Sequence, residues 1–157
     1  MDTITTVIDR LQTAQERLLK AVERADAARW NEPSPNPGWT YKDLLAHLAT
    51  GDWVCQMLLR GVLATGSVPP WPDIDAGNAE LIEARRPKSV ADLLQERQAH
   101  RQETLALLAQ LTEAHLRVPI HLPWISTTTT FSQYLLGFPG HDLGHTFEME
   151  TAAPRHA

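Results

Sequence analysis

The sequence predicts an all-α protein, a four-helix bundle with a long crossover between the second and third helices. Four segments carry apolar residues at steps of three and four, the spacing of amphipathic helices. Proline-rich stretches separate several of them, and the connection between the second and third spans residues 66 to 88. With 157 residues, of which 43% are hydrophobic, the chain has enough material for one core. We therefore expect a single domain over residues 1–157.

The first helix is predicted from the N-terminus to about Trp30. Its apolar stripe consists of Ile4, Val7, Ile8, Leu11, Leu18, Leu19 and Val22. Residues 31 to 39 hold three prolines and a glycine, which favour extended or turn geometry and exclude a continuous helix. Thr40 and Asp43 have the spacing of a capping box. They predict the start of a second helix, which continues to about Ala64.

The long connection is expected to contain one short helix after Asp75. A connection of this length can carry the chain back along the bundle, so helices two and three are expected to run parallel. Ser89 and Asp92 form a second capping-box pattern and start the third helix. Its apolar residues are Val90, Leu93, Leu94, Leu105, Leu108 and Leu111. Arg97 and Arg101 fall near this stripe, and we expect them to reach water, the alternative being a polar cavity.

Residues 117 to 130 contain prolines and β-branched residues and predict an extended connection, ending in threonines that can cap a helix. The fourth helix is expected over Thr130 to Ala152. Pro139 interrupts this pattern because it removes a backbone hydrogen bond and clashes with the preceding turn. We therefore expect a kink immediately before His141, the alternative being a new helix that begins there.

Composition excludes several classes of protein. A net charge of −5 argues against a general nucleic-acid surface, which needs concentrated basic residues. The single cysteine, Cys55, excludes an internal disulfide and is expected to be a buried small residue. The N-terminus has neither the basic nor the apolar region of a signal peptide, and no apolar run is long enough for a membrane span. We expect a cytoplasmic protein that binds neither nucleic acid nor membrane.

Three histidines occupy positions where apolar residues are expected. His141 and His145 are four residues apart, which puts both rings on one face of a helix. His47 lies at the core edge of the second helix, so a packed bundle can bring the three together. Three histidines with an open fourth position are typical of catalytic zinc. The spacing of the pair is weak evidence by itself, and hydrogen-bonded core histidines are the alternative.

Nearby polar and aromatic residues complete the candidate site. Asp52 and Glu148 are the candidate catalytic residues, with Asp142 as a third carboxylate that can orient an imidazole or transfer a proton. Asp43 has the competing capping role. Three tryptophans are candidates for the lining of a pocket, although packing is their more common role; they are Trp39, Trp53 and Trp124.

The segment WTYKDLLAHLA at residues 39 to 49, together with GHDLGH at residues 140 to 145, resembles the DinB-like superfamily. This superfamily includes the N-terminal domain of mycothiol-dependent maleylpyruvate isomerase. The resemblance covers nearly the whole chain and implies a bundle of up-down-down-up topology. It also implies that His47, His141 and His145 bind a divalent metal, commonly zinc or nickel. Members often form dimers, so a homodimer is expected.

The resemblance implies a function as well. The leading hypothesis is a metal-dependent thiol S-transferase that joins a low-molecular-weight thiol, of the mycothiol or bacillithiol type, to an electrophilic small molecule. Because the chain ends soon after the fourth helix, maleylpyruvate isomerisation itself is not expected. A metal-dependent hydrolase is one alternative, and a non-catalytic protein that binds or sequesters a small molecule is another.

Overall fold

The computed structural model describes residues 2–151 and confirms a four-helix bundle. Its helices are α1 (Thr3–Arg24), α2 (Tyr41–Thr50), α3 (Trp53–Thr65), α4 (Ile74–Glu83), α5 (Val90–Leu108), α6 (Glu113–Leu116), α7 (Phe131–Gly137) and α8 (Pro139–Thr151). A short 3₁₀ helix spans Ala27–Asn31. Strands β1 (Pro119–Leu122) and β2 (Thr127–Thr130) form an antiparallel hairpin. The bundle consists of α1, α2 with α3, α5, and α7 with α8.

Local signals in the sequence explain most helix starts. Thr40 and Asp43 form the predicted capping box of α2, and Ser89 and Asp92 form that of α5. Thr130 accepts a hydrogen bond from the backbone of α7. In each case the side chain satisfies a backbone donor that the first helical turn leaves unpaired.

Two predicted helices are interrupted. The second is divided at Gly51 and Asp52 into α2 and α3, and the fourth is divided at Phe138 into α7 and α8. Pro139 is the first residue of α8, where its missing N–H removes no helical hydrogen bond. The structure thus shows a new helix at this proline. The predicted last residue, Ala152, lies outside the described residues.

Hydrogen bonds between helices define the topology. On α1 and the fourth bundle helix, Arg10 bonds the Leu136 carbonyl and Arg17 bonds Glu150, so the two run parallel. The second bundle helix, α2 with α3, also runs parallel to α5. Arg97 bonds the Leu48 carbonyl, and Arg101 bonds Asp52, which is four residues further along in both helices.

The two pairs of parallel helices run in opposite directions. Arg97 on α5 bonds Gln15 on α1, whereas the later residue Arg101 bonds the earlier carbonyl of Leu11. α5 is therefore antiparallel to α1. The order along the chain is up-down-down-up, and the long crossover makes the two consecutive down helices possible.

The apolar core is divided into two clusters. One contains Val7, Leu11, Leu58, Phe131 and Leu135 among its buried residues, and the other contains Leu18, Leu45, Leu48 and Leu93. Along each bundle helix, polar side chains lie between the two clusters. This layer, which we call the buried ion layer, consists of Gln15, Asp52, Arg97, Arg101, Thr104 and Asp142.

The position expected for Arg97 and Arg101 was wrong, because the structure buries them with exposures of 1% and 5%. Arg101 makes two 2.9 Å bonds to Asp52, and both arginines bond one oxygen of Asp142, at 2.7 and 2.6 Å. Burial would lower the pKa of Arg101, but Asp52 and Asp142 raise it above its ordinary value. The arginines remain charged in the core because carboxylates meet them there.

Within residues 2–151, no helix is sufficiently long and apolar to cross a membrane. Cys55 is fully buried, as the sequence predicts. Burial is also the main reason why the pKa of its thiol is raised well above the ordinary value.

We expect Arg97→Met to lower the free energy of unfolding by about 3–5 kcal/mol, since it leaves a buried carboxylate without one of its partners. The matched control is Arg60→Met, which removes an exposed ion pair with Glu103 and should cost less than about 1 kcal/mol. Urea denaturation measures both. Equal losses in the two variants would contradict the stabilising role of the ion layer.

Candidate metal centre

The three predicted histidines lie together where α2 meets α8. His47 is on the last turn of α2 and is 5% exposed. His141 and His145 are on consecutive turns of α8, with side chains 36% and 18% exposed. The three ring centroids are 4.7 to 5.0 Å apart. One nitrogen from each ring lies within 4.8 Å of the others, and Nε2 of His47 is 2.8 Å from Nε2 of His141.

Carboxylates orient the two rings of α8. Nδ1 of His145 is 2.9 Å from Oε2 of Glu148, which also accepts a bond from the Asn36 side chain. Nδ1 of His141 is 3.5 Å from Oδ1 of Asp142. A carboxylate only accepts hydrogen bonds, so the proton of each neutral ring is assigned to Nδ1. Nε2 then carries the lone pair, as in carboxylate–histidine pairs around metals.

The environment keeps His47 neutral. Burial, followed by the repulsion of His141 and His145, lowers its pKa to about 3. The indole of Trp39 covers it, with ring centroids 5.0 Å apart. Its buried Nδ1 has no hydrogen-bond partner among the described residues. A neutral imidazole is the form that binds a metal ion, because the protonated ring has no lone pair to donate.

The residues fit a divalent cation. Zinc binds imidazole nitrogens at about 2.0–2.1 Å, which places tetrahedral ligands about 3.3 Å apart. The observed separations, from 2.8 Å to at most 4.8 Å, bracket that value. Three imidazole donors on two helices would hold the ion and leave a fourth coordination position for another ligand.

The remaining candidates divide into two groups. Asp142 and Glu148 contact the histidines, whereas Asp52 bonds Arg101 and Thr104 and contacts none of the three within the described residues. The proton-transfer role of Asp52 stays a prediction. Asp43 performs its capping role, and an ion pair with Arg86 joins it.

A cavity of about 470 Å³ adjoins the histidines. We call it the aromatic pocket; it is lined by His47, Gly51, Trp53, Val54, Trp71, Ile74, Asn78, Leu122, Trp124, Gln133, Tyr134, Gly137, Phe138 and His141. Two of the tryptophans predicted for a pocket, Trp53 and Trp124, line this cavity, while Trp39 packs on His47 instead. His47 and His141 therefore share this cavity with a largely apolar wall.

Sequence reasoning missed two parts of this site. Trp71 belongs to the pocket because its indole bonds the carbonyl of His121 on the hairpin, a contact between segments fifty residues apart. The link from Arg97 and Arg101 to Asp142 was also missed. The sequence did contain a signal for it, because two arginines four residues apart fall near an apolar stripe. Their acidic partners, however, lie on other helices.

A family model for the DinB superfamily matches residues 10–149. The chain belongs to the DinB superfamily. Among solved structures it is similar to the mycothiol-dependent maleylpyruvate isomerase, with a TM-score of 0.78 and 15% identity over 98% of this chain. The chain spans 62% of the length of that isomerase.

A second similar structure is YfiT from Bacillus subtilis, described as a probable metal-dependent hydrolase with an unusual four-helix bundle topology. The TM-score is 0.73 and the identity 20%, over 93% of this chain and 83% of YfiT. Identities this low show a shared fold. No curated protein sequence matches the chain significantly.

We expect Gly77→Ala to distort the aromatic pocket. A Cβ at position 77 of α4 would lie 2.6 Å from the Trp53 ring, so the indole must move and its bond to Asn78 weakens. The free energy of unfolding should fall by about 1–2 kcal/mol, with a change in tryptophan fluorescence. Gly144→Ala on α8 is the control, since its Cβ meets nothing and should stabilise by about 0.5–1 kcal/mol. Equal effects would contradict a close approach of α4 to Trp53.

Proposed function

We propose that the protein is a divalent-metal-dependent enzyme in which His47, His141 and His145 hold the ion, with zinc or nickel as the expected metal. The observation that carries this proposal is the convergence of three imidazole rings beside a cavity. Glu148 supports it, since a carboxylate on the outer nitrogen of a ligand is a common feature of metal sites. The family match and the description of YfiT as probably metal-dependent agree with it.

The reaction we propose is the transfer of a low-molecular-weight thiol, of the mycothiol or bacillithiol type, to an electrophilic carbon. A divalent ion held by three neutral ligands lowers the pKa of a bound thiol or water. The sulfur forms a bond to carbon, a leaving group departs with its electron pair, and the thiol proton passes to a base or to solvent. The similar isomerase is described as mycothiol-dependent, which supports the choice of a thiol.

The residues of the chain contribute positioning and exclusion of water. Glu148 and Asp142 hold the rings of α8 with Nε2 inward, and Asn36 in turn orients Glu148. Glu148 is half-buried at the edge of the cluster, so it is also the proposed group for proton transfer. The aromatic pocket holds the second substrate and reduces the access of water.

A metal-dependent hydrolase is the second candidate, and the likeness to YfiT favours it. The same residues would act, with water in place of the thiol. A cytoplasmic location, a homodimer and a single domain over residues 1–157 remain predictions from the sequence.

The first prediction concerns metal content. The purified protein should hold about one divalent ion per chain, and His145→Ala should bind metal at least roughly tenfold more weakly because one ligand is lost. Glu148→Gln should weaken binding about 10–100-fold, since it no longer orients His145 as an anion. Mass spectrometry of metal content after dialysis measures both. His121→Ala, an exposed histidine outside the cluster, is the control and should keep its metal. Equal, substoichiometric metal in all variants would show that the histidines are ordinary core residues.

The second prediction concerns the reaction. The protein should conjugate mycothiol or bacillithiol to monochlorobimane, with release of chloride and a rise in fluorescence. Removal of the metal should abolish the activity and its return should restore it, because the thiol is no longer ionised without the ion. His145→Ala should be inactive and His121→Ala unchanged.

The assay also separates the alternatives. Absence of metal-dependent conjugation with any physiological thiol would contradict the transferase proposal. Metal-dependent turnover of esters without thiol would identify the hydrolase. Stoichiometric metal with neither activity would favour the non-catalytic alternative.

A further inference from the structure

The wall of the aromatic pocket has few ionisable side chains. Among the described residues that line it there is no Lys, Arg, Asp or Glu, and its titratable groups are His47, His141 and Tyr134. A second cavity, of about 250 Å³, lies elsewhere on the bundle and is lined by residues that include Arg24 and Glu150. Another concave surface of this acidic chain therefore carries charged side chains. The absence of Lys, Arg, Asp and Glu from the aromatic pocket is a local feature.

The indole donors of Trp53 and Trp71, two of the three tryptophans that line the pocket, are already bonded to protein. Nε1 of Trp53 donates to Asn78 at 3.0 Å, and Nε1 of Trp71 donates to the carbonyl of His121 at 2.7 Å. Trp71 also packs edge-on against Trp124 and Tyr134, with centroids 5.3 and 6.0 Å apart. Trp53 and Trp71 consequently present carbon surface to a bound molecule, which suits the faces and edges of another flat ring.

Two neutral amides supply the polar contacts. The side chain of Gln133 makes no hydrogen bond with any described residue, and the amide nitrogen of Asn78 is likewise unpaired there, since Trp53 uses only its oxygen. Amides orient an uncharged polar group, but they do not neutralise a carboxylate or a phosphate. A charged molecule would lose its hydration in this cavity without gaining a counter-charge from the chain.

We propose that the aromatic pocket binds the second substrate and that this substrate is an uncharged molecule with a flat aromatic body. Its reactive end would lie beside His47 and His141, which line the cavity, and its polar substituent would meet Asn78 or Gln133. A volume of about 470 Å³ is within the usual range of sites for molecules of this size, about 300–1,000 Å³. That the bound molecule is a substrate rests on the proposed function, whereas binding itself needs no reaction.

Calorimetric titration with two probes of one ring system tests the charge preference. 2-Naphthalenemethanol is neutral and 2-naphthalenesulfonate is an anion that coordinates metals poorly. The alcohol should bind at least about tenfold more tightly to the purified protein. Equal or tighter binding of the sulfonate, or no binding of the alcohol, would overturn the proposal.

A charge variant tests the location. Gln133→Lys introduces a cation at an exposed position of the pocket wall, and it should tighten sulfonate binding about fivefold or more while leaving the alcohol within about twofold. Gln98→Lys, exposed on α5 outside the pocket, should change neither affinity. Unchanged sulfonate binding in Gln133→Lys, or the same gain in Gln98→Lys, would overturn the assignment to this cavity.

The metal-binding variant separates this inference from the proposed function. His145 does not line the pocket, so His145→Ala should retain the affinity for the alcohol even though its metal is lost. If the wild-type protein binds the alcohol but shows no metal-dependent conjugation with any physiological thiol, the transferase is refuted and the pocket assignment stands. Loss of alcohol binding in the wild-type protein would refute the pocket assignment, whatever the metal assay shows.

Discussion

The buried ion layer is the constraint on which the rest of the structure depends. Arg97 and Arg101 extend from α5 into the centre of the bundle and meet Asp52 from the second bundle helix and Asp142 from the fourth. Gln15 bonds Arg97 from the first. A buried charge is tolerated only when its partner is in place, so this layer allows one axial alignment of the four helices. Apolar residues alone would tolerate several such alignments.

The same layer connects the core to the candidate metal centre. One oxygen of Asp142 accepts bonds from both arginines, and the other lies 3.5 Å from Nδ1 of His141. The guanidinium groups restrain the carboxylate, and the carboxylate restrains the imidazole. Glu148 restrains His145 from the outside of α8, with support from Asn36. The two rings of α8 are thus held from opposite sides, which is how a site keeps its geometry before a ligand arrives.

The pocket depends on elements outside the four bundle helices. α4 from the long crossover brings Asn78 to Trp53, and the hairpin before α7 brings the carbonyl of His121 to Trp71. Connections that could have been simple loops therefore form the walls beside the histidines. Gly51 adds a local condition at the break between α2 and α3, because a Cβ there would lie 3.3 Å from the His141 ring. A larger residue at this position would crowd the His141 ring and the carbonyl of His47.

The sequence by itself determined the features that depend on near neighbours in the chain. The capping pairs at Thr40 and Ser89, the interruption of the fourth helix near Pro139 and the one-turn spacing of His141 and His145 all involve interactions over three or four residues, which a linear pattern shows directly. Only the tertiary structure decided where Arg97 and Arg101 point. Their partners lie more than forty residues away, and a cationic side chain near an apolar stripe has the same local pattern whether it reaches water or a buried carboxylate. The meeting of His47 with the pair on α8, and the aromatic walls beside them, depend on the packing of separate elements for the same physical reason.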